Sequence, residues 1–212
     1  LESGGYKPDP RKVDAITQMA TLTDQAGVQH LLGMATYLSK FCPGFSHATE
    51  PLRSLTRRDI DFCWRPDPHG TAFNNLKQLI TNAPVLAYFD VNKPVTVQCD
   101  ASKSGLGAAL LQDGHPVEFI SRSMMSAEEN YAKIEKELLA IVWSMERFHT
   151  YAYMNKSVTV ETDHKPLLAI NRKALASVPK RLQRMLLRLQ RYSINLVFKP
   201  GSQLILADTL SR

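Results

Sequence analysis

Four carboxylates in this sequence lie at the ends of predicted secondary-structure elements. Asp100 and Asp163 each close a strand-like run, Glu137 lies on a predicted helix between those runs, and Asp208 lies in a short C-terminal helix pattern. Carboxylates that converge in one crevice repel each other, and a fold tolerates them mainly when cations lie between them. The pattern therefore predicts magnesium-dependent phosphoryl chemistry.

The two aspartates occupy equivalent positions in their strands. Alternation puts Gln98 on the same polar face as Asp100, and Glu161 in the same polar phase as Asp163. Both aspartates thus lie at carboxyl ends, where open sheets place their ligands. An ordinary aspartate in a turn after a strand is the alternative for either residue, and two in equivalent positions weaken that alternative.

The predicted helix between the strands carries two candidate glutamates. Its apolar stripe consists of Ile134, Leu138, Ile141 and Met145. Glu135 and Glu137 border this stripe on opposite sides, and helical geometry leaves open which one turns toward the strands. Two Mg²⁺ or Mn²⁺ ions held by such a cluster can activate a water and stabilise the leaving oxygen of a phosphodiester, so no nucleophilic side chain is needed.

A second functional feature is a basic helix pattern that ends at Arg191. Its arginines recur on one face, and no acidic residue occurs from 172 to 191. The predicted nucleic-acid-binding residues are Arg172, Lys173, Lys180, Arg181, Arg184, Arg188 and Arg191. Together with the net charge of +6, they suit contacts to a phosphate backbone that do not read bases. The alternative is the solvated face of a packed helix.

The chain divides into a helical part at 1–60, a linker-like lead-in at 61–90 and a strand-containing part at 91–212. Residues 1–60 predict three short helices that form a small bundle. Strands are predicted at 95–100, 105–112, 116–121, 157–162 and 194–198, and helices at about 127–149, 165–171, 179–191 and 203–211. This order predicts an α/β fold, a mixed five-stranded sheet with helices packed on it.

Composition excludes several other classes of protein. No apolar run approaches the roughly 18 residues of a membrane span, so no membrane partner is expected. The first residues lack Met and lack the features of a signal peptide, which indicates a piece of a longer chain. Three widely spaced cysteines indicate free thiols in a reducing compartment. The expected location is intracellular, in the cytoplasm, the nucleus or a virus-like particle.

Four sequence motifs carry a resemblance to a known family. They are Cys99–Ser102 with Gly105–Ala108, Glu135–Ile141, Thr162–Leu167 and Ala207–Arg212. In this order they resemble the ribonuclease H domain of gypsy-type LTR retrotransposon polyproteins, over roughly residues 61–212. The helical part, with Pro8–Pro10, Leu31–Met34 and Tyr37–Leu38, resembles the reverse-transcriptase thumb that precedes that domain.

The resemblance implies a ribonuclease H-like fold and a specific activity. It implies that Asp100, Glu137, Asp163 and Asp208 bind two metal ions, and it favours Glu137 over Glu135 because Glu137 directly precedes a Leu-x-Ala-Ile pattern. It further implies cleavage of the RNA strand of an RNA/DNA hybrid. The sequence has no Tyr-x-Asp-Asp motif, so the polymerase part of the polyprotein is expected as a missing partner.

Two other classes of function compete with the nuclease. A domesticated or fragmentary element could keep the fold as a non-catalytic nucleic-acid-binding or protein-binding module, but all four carboxylates are present. An integrase-type relative would place its third acidic residue on a helix after the fourth strand. Here Glu137 precedes that strand, which argues against the integrase class.

Overall fold

The computed structural model describes residues 5–57, 60–153, 155 and 157–204. Its helices are α1 Pro10–Thr17, α2 Gln25–Leu38, α3 Phe45–Ser54, α4 Thr71–Thr81, α5 Ser126–Glu129, α6 Lys133–Arg147, α7 His149–Tyr153, α8 Pro166–Asn171 and α9 Lys180–Leu189. Its strands are β1 Val95–Ala101, β2 Gly105–Gln112, β3 His115–Ser123, β4 Val158–Thr162 and β5 Ile194–Phe198. No described helix has the length and apolar character that crossing a membrane requires.

The five strands form one mixed sheet in the order β3-β2-β1-β4-β5. β1, β2 and β3 are antiparallel neighbours joined by short connections, and β1, β4 and β5 run parallel. The parallel connections pass through helices, as parallel pairing requires. The predicted mixed five-stranded sheet with flanking helices after a helical part is therefore confirmed.

The predicted continuous helix over 127–149 is interrupted near both ends, because the structure breaks this segment into α5, α6 and α7. Asn130 ends α5, and Ala132 has extended backbone at φ −60° and ψ 152°. The Glu135 carboxylate accepts a hydrogen bond from the Ala132 N–H at 3.0 Å, which satisfies one of the unpaired donors at a helix start. α6 therefore begins at Lys133.

Two hydrophobic cores cover the two faces of the sheet. One joins β1 and β4, through residues such as Val97 and Val160, to the apolar faces of α6 and α9. The other joins the helices of the N-terminal part to the opposite face of β2 and β3, where Ala109, Leu111 and Phe119 are buried. The helical part thus packs directly on the sheet, while the domain boundaries at 60 and 90 stay predictions.

Short segments flank the sheet before β1 and after β5. Tyr6 forms an isolated antiparallel bridge with Leu86, which ties the N-terminal segment to the approach of β1. At the other end, residues 201–203 form a 3-10 turn after β5. The rest of the predicted final helix, including Asp208, lies outside the described residues.

Candidate active site and metal centre

Strand register brings Asp100 and Asp163 to the same end of the sheet. β1 and β4 are parallel neighbours in which Gln98 lies opposite Glu161. Asp100 and Asp163 each follow two residues later, so they reach the carboxyl ends of adjacent strands together. Asp100 is still within β1, whereas Asp163 directly follows β4.

Helix α6 adds Glu137 to this pair. The helix packs along β1, and its buried residues belong to the same core as Val97 and Cys99. Glu137 is only 2% exposed. Its carboxylate accepts a backbone hydrogen bond from Ala101. Carboxylate oxygens of Asp100, Glu137 and Asp163 all lie within 4.8 Å of one another.

The three carboxylates create an electrostatic conflict. Burial, followed by the charges of Asp100 and Asp163, raises the pKa of Glu137 to about 8, and Lys133 offsets only part of this. The buried Oδ1 of Asp163 has no hydrogen-bond partner among the residues that the structure describes. Neither Glu137 nor Asp163 forms an ion pair with a described lysine or arginine.

These features fit a site for hard divalent cations. Mg²⁺ and Mn²⁺ prefer carboxylate oxygens, and a buried carboxylate oxygen without a donor is an available ligand. A cation placed there would remove the repulsion that raises the pKa of Glu137. Asp100, Glu137 and Asp163 could thus hold metal, and Asp208 remains a predicted fourth ligand outside the described residues.

Gly201 is a neighbour of the site that the sequence analysis did not identify. A Cβ atom at this position would lie 3.3 Å from Oδ2 of Asp163, closer than most real Cβ contacts. The turn that follows β5 therefore passes directly against the carboxylate. Pro200–Gly201 predicts a turn, but no local pattern indicates which side chain that turn approaches.

Glu135 lies apart from the cluster, on the other side of α6. Besides capping the helix through the Ala132 N–H, its Oε2 pairs with Arg181 at 2.8 Å. The structure thus separates the two glutamates that helical geometry left open. The sequence signal for this role is the position of Glu135. A glutamate at the third position of a helix often accepts a hydrogen bond from the backbone N–H at the helix start.

The predicted basic surface is partly neutralised by α6. Arg181 pairs with Glu135, and both Arg188 and Arg191 pair with Glu146 at 2.6 and 3.2 Å. The remaining predicted phosphate ligands are exposed and form no ion pair with a described residue: Arg172, Lys173, Lys180 and Arg184. Phosphate binding by this surface stays a prediction.

Comparison with known proteins identifies relatives along the chain. Residues 90–192 match the family described as the RNase H-like domain found in reverse transcriptase. The chain is 36% identical over 227 residues to the retrovirus-related Pol polyprotein from transposon opus of Drosophila melanogaster. It is 32% identical over 218 residues to the transposon Tf2-3 polyprotein of Schizosaccharomyces pombe. Each match covers 100% of this chain but 22% and 16% of the polyproteins, so the chain spans about a fifth of the curated relatives.

Solved structures share the fold. The foamy viral protease-reverse transcriptase in complex with RNA/DNA hybrid matches with a TM-score of 0.80 at 18% identity, over 94% of this chain and 28% of that one. The foamy viral protease-reverse transcriptase dRH in complex with ds DNA matches with a TM-score of 0.79 at 19% identity, over 92% and 35%. The predicted ribonuclease H-like fold is confirmed. Through residues 90–192 the chain belongs to the RNase H-like domains found in reverse transcriptases, within a sequence homologous along its length to LTR retrotransposon polyproteins.

Proposed function

We propose that this chain is a metal-dependent endonuclease that hydrolyses the RNA strand of RNA/DNA hybrids, as part of a retrotransposon reverse transcriptase. The observation that carries the proposal is the convergence of Asp100, Glu137 and Asp163 within 4.8 Å. Burial, and then the charges of the two aspartates, raise the pKa of Glu137, and Oδ1 of Asp163 has no hydrogen-bond partner among the described residues. A fold that keeps this arrangement gains from it only when cations are present.

The carboxylates would hold two Mg²⁺ or Mn²⁺ ions, with Asp208 as the fourth ligand. Two such ions, when bound, supply activation of water and stabilisation of the leaving oxygen in an in-line phosphodiester displacement. The chain contributes the placement of the ligands. The Ala101 N–H orients Glu137 beside the strand ends, and parallel register holds Asp100 and Asp163 side by side.

Hybrid specificity is part of the same proposal. The 2′-hydroxyls of an RNA strand lie in a wide minor groove, where side chains reach them, so a hybrid differs chemically from duplex DNA. Lys180 and Arg184 of α9, with Arg172 and Lys173 before it, would contact phosphates. The arginines already paired with glutamates, Arg181, Arg188 and Arg191, keep side-chain exposures of 51%, 47% and 53%, so their charges stay within reach of a polyanion.

The polymerase part of the polyprotein is the proposed protein partner. The chain matches only about a fifth of its Pol polyprotein relatives and carries no Tyr-x-Asp-Asp motif. DNA synthesis would therefore come from another segment of the polyprotein. An intracellular site of action follows from the same proposal, because the hybrid substrate forms where reverse transcription occurs.

The test is hydrolysis of an end-labelled RNA/DNA hybrid with Mg²⁺, alongside single-stranded RNA and duplex DNA of the same sequence. The native chain should cut only the hybrid, in its RNA strand. Glu137→Gln should abolish cutting, whereas Glu135→Gln, the same change two residues away on the same helix, should retain most of it. Binding of the hybrid without cutting by the native chain would favour the non-catalytic module instead.

A further inference from the structure

A groove separates helix α3 from β3, the edge strand of the sheet. It consists of two cavities of about 570 and 350 Å³ that share Ser46, Arg53 and Arg122 in their walls. The larger cavity is bounded by Ser104 and Gly105, and the smaller one extends along β3 as far as Glu118. We refer to the two cavities together as the α3–β3 groove.

The groove begins at the end of the sheet that carries the candidate active site. Asp100 of β1 pairs with Gly107 of β2, and Gly105 of β2 pairs with Ser123 of β3. β3 is two strands away from β1, a separation of about 10 Å. From Ser123 to Glu118 the groove follows β3 for about 17 Å, the axial length of roughly five nucleotides in one strand of a duplex.

This groove is distinguished by lysine and arginine side chains that form no ion pair with a described residue. Its cationic lining residues are Lys40, Arg53, Arg57, Arg122 and Arg147, and its carboxylates are Glu50, Glu118 and Glu129. Arg122 is held by both oxygens of Glu128, at 2.6 and 2.9 Å. The other four cations form no ion pair with any residue in the described ranges, unlike Arg181 and Arg188 of α9 and Arg191 just after it.

The five lysine and arginine side chains of the lining outnumber its three carboxylates. Glu50 and Glu129 are exposed and make no ion pair with a described residue, and burial raises the pKa of Glu118 while Arg147 and Lys40 act against that rise. Hydroxyl groups of Ser104 and Ser126 add hydrogen-bond donors along the walls of the larger cavity. Arginine and serine side chains are common donors to phosphate oxygens in nucleic-acid complexes.

We propose that the α3–β3 groove binds the phosphate backbone of one nucleic-acid strand where that strand leaves the active site. The inference rests on the proposed function, because the strand is part of the cleaved hybrid. Arg53 and Arg57 are the principal phosphate contacts, since both are exposed, both line the larger cavity and neither forms an ion pair with a residue that the structure describes. Helix α3 of the helical part would then form one wall of the binding surface, and β3 would form the other.

The experiment measures affinity of the chain for an RNA/DNA hybrid across a salt series, with metal omitted so that no cleavage occurs. The Arg53→Gln/Arg57→Gln variant is compared with the native chain and with Arg11→Gln, a control whose side chain is 92% exposed on α1. Loss of two phosphate contacts should reduce the slope of log affinity against log salt by about 1.8. Raising the salt from about 50 to 200 mM weakens binding of both proteins. The factor by which it does so should be roughly ten times smaller for the double variant than for the native chain.

A charge-preserving variant separates phosphate contact from damage to the fold. Arg53→Lys/Arg57→Lys should restore most of the native slope, because lysine also neutralises phosphate. An unchanged slope in the glutamine variant, or weaker binding with the native slope, would overturn the proposal. Cleavage of the hybrid by the native chain is scored separately with Mg²⁺, so failure of the groove and failure of the nuclease are distinguishable.

Discussion

Glu128 of α5 and Glu137 of α6 are both buried glutamates, yet their surroundings are opposite. Glu128 accepts two hydrogen bonds from Arg122 and one from the Met125 N–H, and these lower its pKa. Glu137 faces two aspartates, and its pKa rises to about 8. Both glutamates are buried, and what distinguishes Glu137 is that no described lysine or arginine forms an ion pair with it.

The two regions differ in what they contribute to the folded state. The Arg122–Glu128 pair holds the end of β3 to the short helix that follows, so its charges stabilise local structure. The carboxylate cluster opposes folding unless a cation is supplied, because like charges are held together in a partly buried site. Four experiments test this difference, in order of decreasing expected change.

The first concerns Glu137 in the absence of metal. In the folded chain its pKa is about 8 rather than the ordinary 4.5, so the folded state binds more protons than the unfolded state between these values. The free energy of unfolding should then fall as pH rises through this window, by up to about 1.4 kcal/mol per pH unit. Urea titrations with a chelator should show the decline in the native chain and a flatter profile in Glu137→Gln. Equal declines would contradict the assignment.

The second concerns metal binding. Mg²⁺ at about one hundred times its Kd should stabilise the folded chain by about 2.7 kcal/mol per site, because it binds only the folded state. For a chain of this size the melting temperature should rise by roughly 5–10 °C. Asp163→Asn should lose most of this rise. The control is Asp113→Asn, which should keep the rise. Asp113 is a half-exposed aspartate in the β2–β3 turn, and it pairs with Lys93. Full retention in Asp163→Asn would mean that the ion binds elsewhere.

The third experiment concerns Glu128, the glutamate that is paired with Arg122. Glu128→Gln removes the charge that Arg122 holds and should lower the free energy of unfolding by about 1–2 kcal/mol at neutral pH. Because the pKa of Glu128 is lowered, this contribution is present above the ordinary value of 4.5 and is lost as pH falls through the folded pKa. Chemical denaturation of Glu129→Gln, its exposed neighbour on α5, serves as the control and should change little.

The fourth concerns Glu135, which is paired but accessible to solvent. A double-mutant cycle of Glu135→Gln and Arg181→Gln should give a coupling energy below about 1 kcal/mol, since Arg181 is 51% exposed. The measurement is the free energy of unfolding of the four proteins at moderate salt. A coupling of several kcal/mol would show that this pair, too, behaves as a buried one.

The sheet and two of its carboxylates could be predicted because they depend on local patterns. Alternation along β1 and β4 indicates which face is apolar, and the position of each aspartate follows from where the alternation stops. The short connection at Asp113–Gly114, where both residues have positive φ, closes the β2–β3 hairpin within a few residues. Such information lies within a window of about ten residues.

Contacts between distant elements could not be predicted in this way. Glu135 and Glu137 differ in their surroundings, because Arg181 lies beside Glu135 and the two strand-end aspartates lie beside Glu137. Glu146 neutralises arginines that lie 42 and 45 residues later, a pairing that no helical periodicity encodes. The resemblance to a family distinguished the two glutamates only through the residues that follow each of them.

The core shared by the helical part and the sheet has an evolutionary consequence. Phe119 of β3 is buried in the same cluster as Leu52 of α3 and Leu76 of α4. A recombination joint between residues 60 and 90 would place Phe119 against a surface that had not adapted to it, leaving a cavity or a clash of about 1–5 kcal/mol. We therefore expect the helices and the sheet to be inherited as one unit, with substitutions in this cluster accepted in compensating sets.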